Sequence, residues 1–204
     1  LIPASDPAVA DFPTVLKELQ GVHPRVLFTS DEINKLKTAI NTDLFLKQAA
    51  EAAIVTGKKK LLPLPGSPPD ICTKGTAALA SSFERYVNLA YAYVLTDRDE
   101  KVRNNIVSIL EVMLNEPHWA YTAELDCDMG AANNMFMVGV LFDTIYADLD
   151  PEFRVKMAEK ILIHVRRMHY LGYKKLALDI HKYWQQDPFN NHRWHRNAGM
   201  TACL

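Results

Sequence analysis

Apolar residues recur every three or four positions along most of this chain, while alternation of apolar and polar residues is nearly absent. That pattern predicts helices and almost no strand. Thr29-Ser30-Asp31-Glu32 has the form of a capping box, with Glu32 three positions after the cap, and opens a predicted helix running to about Val55 through Ile33, Leu36, Ile40 and Leu44. Gly57 closes it, and the proline- and glycine-rich stretch Lys58–Gly75 reads as a loop. A second helix is expected over Thr76–Leu95 (Phe83, Val87, Tyr91, Val94), breaking at Thr96-Asp97. A third spans about Arg98 to Leu114 (Val102, Ile106, Ile109, Leu110, Met113) and stops at Asn115-Glu116-Pro117. The fourth, about Cys127 to Tyr146, is apolar around much of its circumference and is therefore expected to be buried. Asp150-Pro151 is a cap followed by proline at the first helical position, starting a fifth helix to about Tyr170, and a last helix begins at Asn190 or Asn191.

The fold class is therefore all-α: antiparallel helical hairpins forming an incomplete (α/α) toroid or a bundle, with no residue period strict enough for a named helical repeat. Residues 1–28, with Pro3, Pro7, Pro13 and Pro24, form an N-terminal arm, and residues 29–204 form the helical domain. The last helix shows no terminator. More of the protein is therefore expected to follow, with an apolar strip along Ala198, Met200, Ala202 and Leu204 exposed in its absence.

A chain of 204 residues with 49% hydrophobic and 23% charged residues is long enough for one substantial core. Its formal net charge of −1 gives no global attraction to nucleic acid, and no apolar run approaches a membrane span. Cys72, Cys127 and Cys203, odd in number and far apart, suggest buried thiols or one disulfide with a spare thiol, not a paired-cysteine zinc module.

Candidate chemistry concentrates between Trp184 and Asn197, where Gln185, Gln186, Asn190, Asn191, His192, His195 and two arginines lie among Trp184, Phe189 and Trp194. Hydrogen-bonding side chains beside flat apolar rings suit a sugar or sugar acid; the alternative is a solvated basic helix start. Asn191 is either a ligand for a carboxylate or a helix cap, and His192 either a proton acceptor or a satisfied imidazole. His195 and Arg196 lie one turn on and suit a second anionic group or a solvated face. Trp119 and Trp194 are either stacking platforms or core, and Asn134, interrupting the apolar fourth helix, either lines a sugar cavity or bridges neighbouring helices. A zinc site of His192, His195, His181 and Cys203 is the weaker competitor, because His-x-x-His here lacks an accompanying Glu or paired cysteines.

His23-Pro24-Arg25-Val26-Leu27-Phe28-Thr29 with Glu32 and Leu36, the Leu61-Leu62 loop, the helix Phe83–Leu95, Phe142-Asp143-Thr144-Ile145-Tyr146 and Asn190-Asn191-His192 occur in the same order as in the heparinase II/III-like polysaccharide lyases. The chain resembles their N-terminal helical toroid from about residue 23 onward. The resemblance implies β-elimination from an acidic, uronate-containing polysaccharide of the alginate or glycosaminoglycan class, in the periplasm or outside the cell. It implies catalytic roles for Asn191 and His192; Asn190, Gln186, Trp119, Asn134, Trp194, His195 and Arg196 are the candidate substrate-binding residues on the physical grounds given above. It further implies a tyrosine and a β-sandwich beyond Leu204, and no metal or cofactor in this segment, though a divalent metal elsewhere in the protein is compatible with it. Two alternatives stand beside the lyase: a uronate C5-epimerase, as in the related dermatan sulfate epimerases, and a non-catalytic helical module that binds an acidic glycan.

Overall fold

The computed structural model describes residues 21–59, 76–117, 119, 129–173, 189 and 191–203, with backbone alone at 76–85, 129, 170–173 and 191–192. The described residues are mostly helical and contain no strand: α1 (Ser30–Ile40), α2 (Leu44–Gly57), α3 (Thr76–Leu95), α4 (Glu100–Asn115), α5 (Met129–Ile145), α6 (Pro151–Tyr173) and α7 (Asn191–Ala202).

The cap at Thr29 forms as its sequence predicts: Glu32 N donates to Thr29 Oγ1 at 3.3 Å while Thr29 N donates to Glu32 Oε2 at 2.8 Å. These bonds to Thr29 hold the exposed Glu32 carboxyl below its usual range. The single helix expected over Thr29–Val55 is instead two. Asn41-Thr42-Asp43 interrupts it, because short polar side chains offer the backbone other partners. Asn41 Nδ2 and Thr42 Oγ1 take carbonyls of the last turn of α1, and Asp43 Oδ1 accepts from Phe45 N and Leu46 N at 2.9 and 3.1 Å to start α2.

The chain turns between α3 and α4 through Asp97 and Arg98, both left-handed with φ of 51° and 71°. A non-glycine residue held there costs about 1–3 kcal/mol. The turn delays α4 from the expected Arg98 to Glu100, where Asp99 caps it by accepting from Lys101 N and Val102 N. Asp150 caps α6 through Glu152 N at 2.8 Å, with Pro151 at the first helical position as expected.

From α3 onward neighbours in space follow a skip-one order, while α2 packs on α3, the next described helix. α3 packs between α2 and α5, α5 between α3 and α7, while α4 and α6 touch one another and both lie against α5. α5 is accordingly the most enclosed element, with Ala131, Ala132, Met135, Met137, Val138, Val140, Leu141 and Ile145 all in the core. Leu89, Ile106, Leu110, Met113, Met157 and Val165 from the flanking helices complete it.

Two glycines set how closely α5 and α7 approach. A Cβ on Gly139 would collide with the carbonyl oxygen of Ala202, and one on Gly199 with the carbonyl oxygen of Ala132. Met200 and Ala202 are buried, and Cys203 Sγ donates to Met135 O at 3.1 Å. The apolar strip expected to be exposed along α7 is thus buried at Met200 and Ala202, on a helix that packs closely against α5. Ala198 is exposed, and Leu204 lies outside the described residues.

Candidate functional site

The candidate polar segment ends in α7, which begins at Asn191, the later of the two starts expected. Asn191 and His192 therefore occupy its first turn, where main-chain N–H groups have no helical acceptor and the helix field favours an anion. Further along, the helix divides its side chains between solvent and core. Trp194 is 65% exposed with the Arg193 guanidinium 5.7 Å from its ring centroid, whereas Arg196 is wholly buried and His195 half-buried. Phe189, just before the helix, is 96% exposed. Trp194 thus keeps an open flat face. Arg196 belongs to the interior, not to the solvated basic face weighed for it.

Trp119 and Asn134 are placed differently from a sugar platform. The Trp119 side chain is 0% exposed, its indole Nε1 donates to Met113 O at 3.0 Å, and its ring lies parallel to His164 with centroids 3.9 Å apart. Asn134 Nδ2 donates to Trp119 O at 2.7 Å. This cluster joins the end of α4, the middle of α5 and the middle of α6, so Trp119 has no ring face open to a pyranose, and the Asn134 amide holds the segment carrying Trp119 onto α5. Gln186, Asn190, Trp184, His181, Glu124, Asp126, Asp128, Cys72 and Cys127 lie outside the described residues.

Cys203 is a thiol pushed up to about 12 by burial, partly offset by a backbone hydrogen bond at Gly139. A raised thiol holds less of the thiolate form that nucleophilic attack and metal ligation use. Among the described residues no three His, Cys, Asp or Glu side chains lie close enough to hold a metal ion. No described helix is long and apolar enough to cross a membrane.

Two motifs far apart in sequence meet. Asp143 on α5, 5% exposed, accepts from His23 Nδ1 at 2.6 Å, Arg25 N at 2.7 Å and Val26 N at 2.8 Å. The His23 ring stacks on Tyr146 at 3.9 Å, Phe142 meets Tyr146 edge-on, and the Arg154 guanidinium lies 4.9 Å from the Tyr146 ring centroid. The His-Pro-Arg opening and the Phe-Asp-Thr-Ile-Tyr stretch are therefore the two halves of one clamp that fastens the segment before α1 to the central helix. Sequence reasoning noted both and did not pair them. The available signal was the one acid on a largely apolar helix, which requires donors from elsewhere once buried.

No protein-family model, curated protein or solved structure matches this chain.

Proposed function

We propose that this chain forms the helical domain of a polysaccharide lyase that cleaves a uronate-containing polysaccharide, of the alginate or glycosaminoglycan class, in the periplasm or outside the cell. The observation that carries the reading is the position of Asn191-His192 on the first turn of α7, on the helix that also presents Trp194 to solvent. The neighbour order supports it as well: α3, α5 and α7 follow one another with α4 and α6 between them in sequence, as the inner and outer helices of an (α/α) toroid alternate.

The chemistry follows from the substrate. The C5 hydrogen of a uronate is weakly acidic, and it becomes removable only when the neighbouring carboxylate is neutralised by donors. The Asn191 amide and the main-chain N–H groups of the first turn supply those donors. Neutral His192 accepts the C5 proton, the released electron pair forms the C4–C5 double bond, and the C4–O bond breaks as its oxygen takes that proton from the His192 imidazolium, which returns the neutral imidazole. An epimerase would return the proton to the opposite face instead. Trp194 offers its exposed face to a neighbouring pyranose, with Arg193 and His195 near a second acidic group. Proton transfer rests on side chains, and no cofactor is invoked for this segment.

The test is incubation of the full-length protein with alginate, heparan sulfate, chondroitin and glucuronan, watching for the ultraviolet absorption of an unsaturated uronate. Product from one of them supports the lyase, and Asn191→Ala should then lower kcat by on the order of 100-fold with a smaller change in KM. Hydrogen exchange at C5 without unsaturated product would assign the epimerase. Binding without either reaction would leave a non-catalytic glycan module and overturn the proposal.

A further inference from the structure

A cavity of about 250 Å³ opens between α1, the end of α3 and the clamp segment, and shares no lining residue with α7. Its polar wall is made by Ser30, Asn34, Lys37, Asp97, Arg98 and Thr144. Pro24, Ile33 and Val94 form an apolar wall. Two cations and one carboxylate leave the lining with a local excess of one positive charge, in a chain whose total is −1.

The cations keep capacity for a further partner. Lys37 Nζ pairs with Asp97, whose side chain is 85% exposed, so this is a surface ion pair that yields readily to a competing anion. Arg98 uses NH1 on Asp148 Oδ1 at 3.0 Å, and its guanidinium carries five N–H donors in all. Its position is held from behind: Asp148 also accepts from the Tyr93 hydroxyl, and Asp148 O accepts from Arg103 NH2 at 2.6 Å. Burial, then the bond to Asp148, drive the Tyr93 phenol well above its ordinary range, so it stays a donor to that carboxylate. The left-handed backbone at Asp97 and Arg98 turns the chain where both residues line the cavity.

The geometry points to a binding site for a small polyhydroxy carboxylate, a single sugar acid, in this cavity. The volume admits one ring-sized ligand and falls below that of a typical drug-sized pocket. Lys37 and Arg98 receive the carboxylate; Asn34 and the Ser30 and Thr144 hydroxyls exchange hydrogen bonds with ring hydroxyls, and the apolar wall covers one ring face. The site stands independently of the lyase reading, because it uses other residues on another side of α5.

The test is a residue-resolved amide NMR titration of the protein with D-glucuronate, alongside D-glucose and inorganic phosphate. Saturable shifts at Ser30, Asn34, Asp97 and Arg98 with glucuronate, absent with glucose, are expected. Lys37 is half-buried with its ammonium on a surface ion pair, so Lys37→Gln should weaken the interaction about tenfold or more while leaving the other amide positions in place. Shifts confined to Arg193–Arg196 would place sugar-acid recognition on α7 and overturn this site without touching the lyase proposal. Phosphate binding as tightly as glucuronate would reduce the cavity to a general anion contact and equally overturn it, as would no saturable shift at all.

Discussion

Replacing Asp143 by alanine tests the clamp most directly. The carboxylate is almost fully enclosed and accepts one imidazole and two main-chain donors within 2.6–2.8 Å. Hydrogen bonds to a charged group are worth about 1.5–3 kcal/mol each, but the three act as a unit, and Arg25 and Val26 are only half-buried, so water recovers part of the loss. Breaking a buried charged arrangement by removing one partner typically costs about 3–5 kcal/mol, and we expect Asp143→Ala to fall in that range. For a domain of this size each kcal/mol moves Tm by about 2–4 °C, so the expected drop is roughly 6–20 °C. His23→Ala removes one bond and the stack on Tyr146 but leaves both main-chain donors satisfied, so its loss should be smaller, about 1–3 kcal/mol. The double variant should lose clearly less than the sum of the two. Thermal unfolding followed by far-ultraviolet circular dichroism measures all three, and limited proteolysis between residues 21 and 28 reports whether the segment has come loose. A drop below about 3 °C for Asp143→Ala, or strictly additive losses, would show that the carboxylate does not hold the segment.

Gly139→Ala and Gly199→Ala should each destabilise by about 1–3 kcal/mol in chemical denaturation, since a methyl group must push α5 and α7 apart. Helix propensity alone predicts a gain of about 1 kcal/mol, so a stabilised variant would refute the close approach. Trp119→Ala should cost about 3–5 kcal/mol because it empties the junction of α4, α5 and α6. Trp194→Ala should leave Tm within a few degrees and weaken glycan binding, and the reverse ranking would exchange the roles of the two tryptophans. Cys203, its thiol raised to about 12, should resist alkylation at pH 8 in the native protein and react on unfolding, as read by peptide mass spectrometry; rapid native labelling would contradict its burial.

Most short-range signals were legible. The Thr29 capping box, the proline start of α6 and the enclosure of α5 all follow from neighbours within a turn or from one-helix periodicity. The interruption at Asn41-Thr42-Asp43 was also local. It was missed because Ile40 and Leu44 maintain the four-residue spacing across it, and periodicity cannot distinguish one helix from two that preserve phase. The left-handed pair Asp97-Arg98 carried no glycine or asparagine to announce it.

What the residues by themselves determined is helical class, most element boundaries and which helix is central, because each depends on interactions a few positions apart. The tertiary structure alone decided what a given polar or aromatic residue is for. Trp119 and Trp194 are the same residue type, yet one is stacked on His164 in the core and the other faces solvent. Asp143 finds its donors 117 to 120 positions away. The cavity beside Lys37 exists only because α1, the α3–α4 turn and α5 converge there. Burial, pairing and cavities are properties of surfaces brought together from distant parts of the chain, and no local pattern encodes the partner that a side chain will meet.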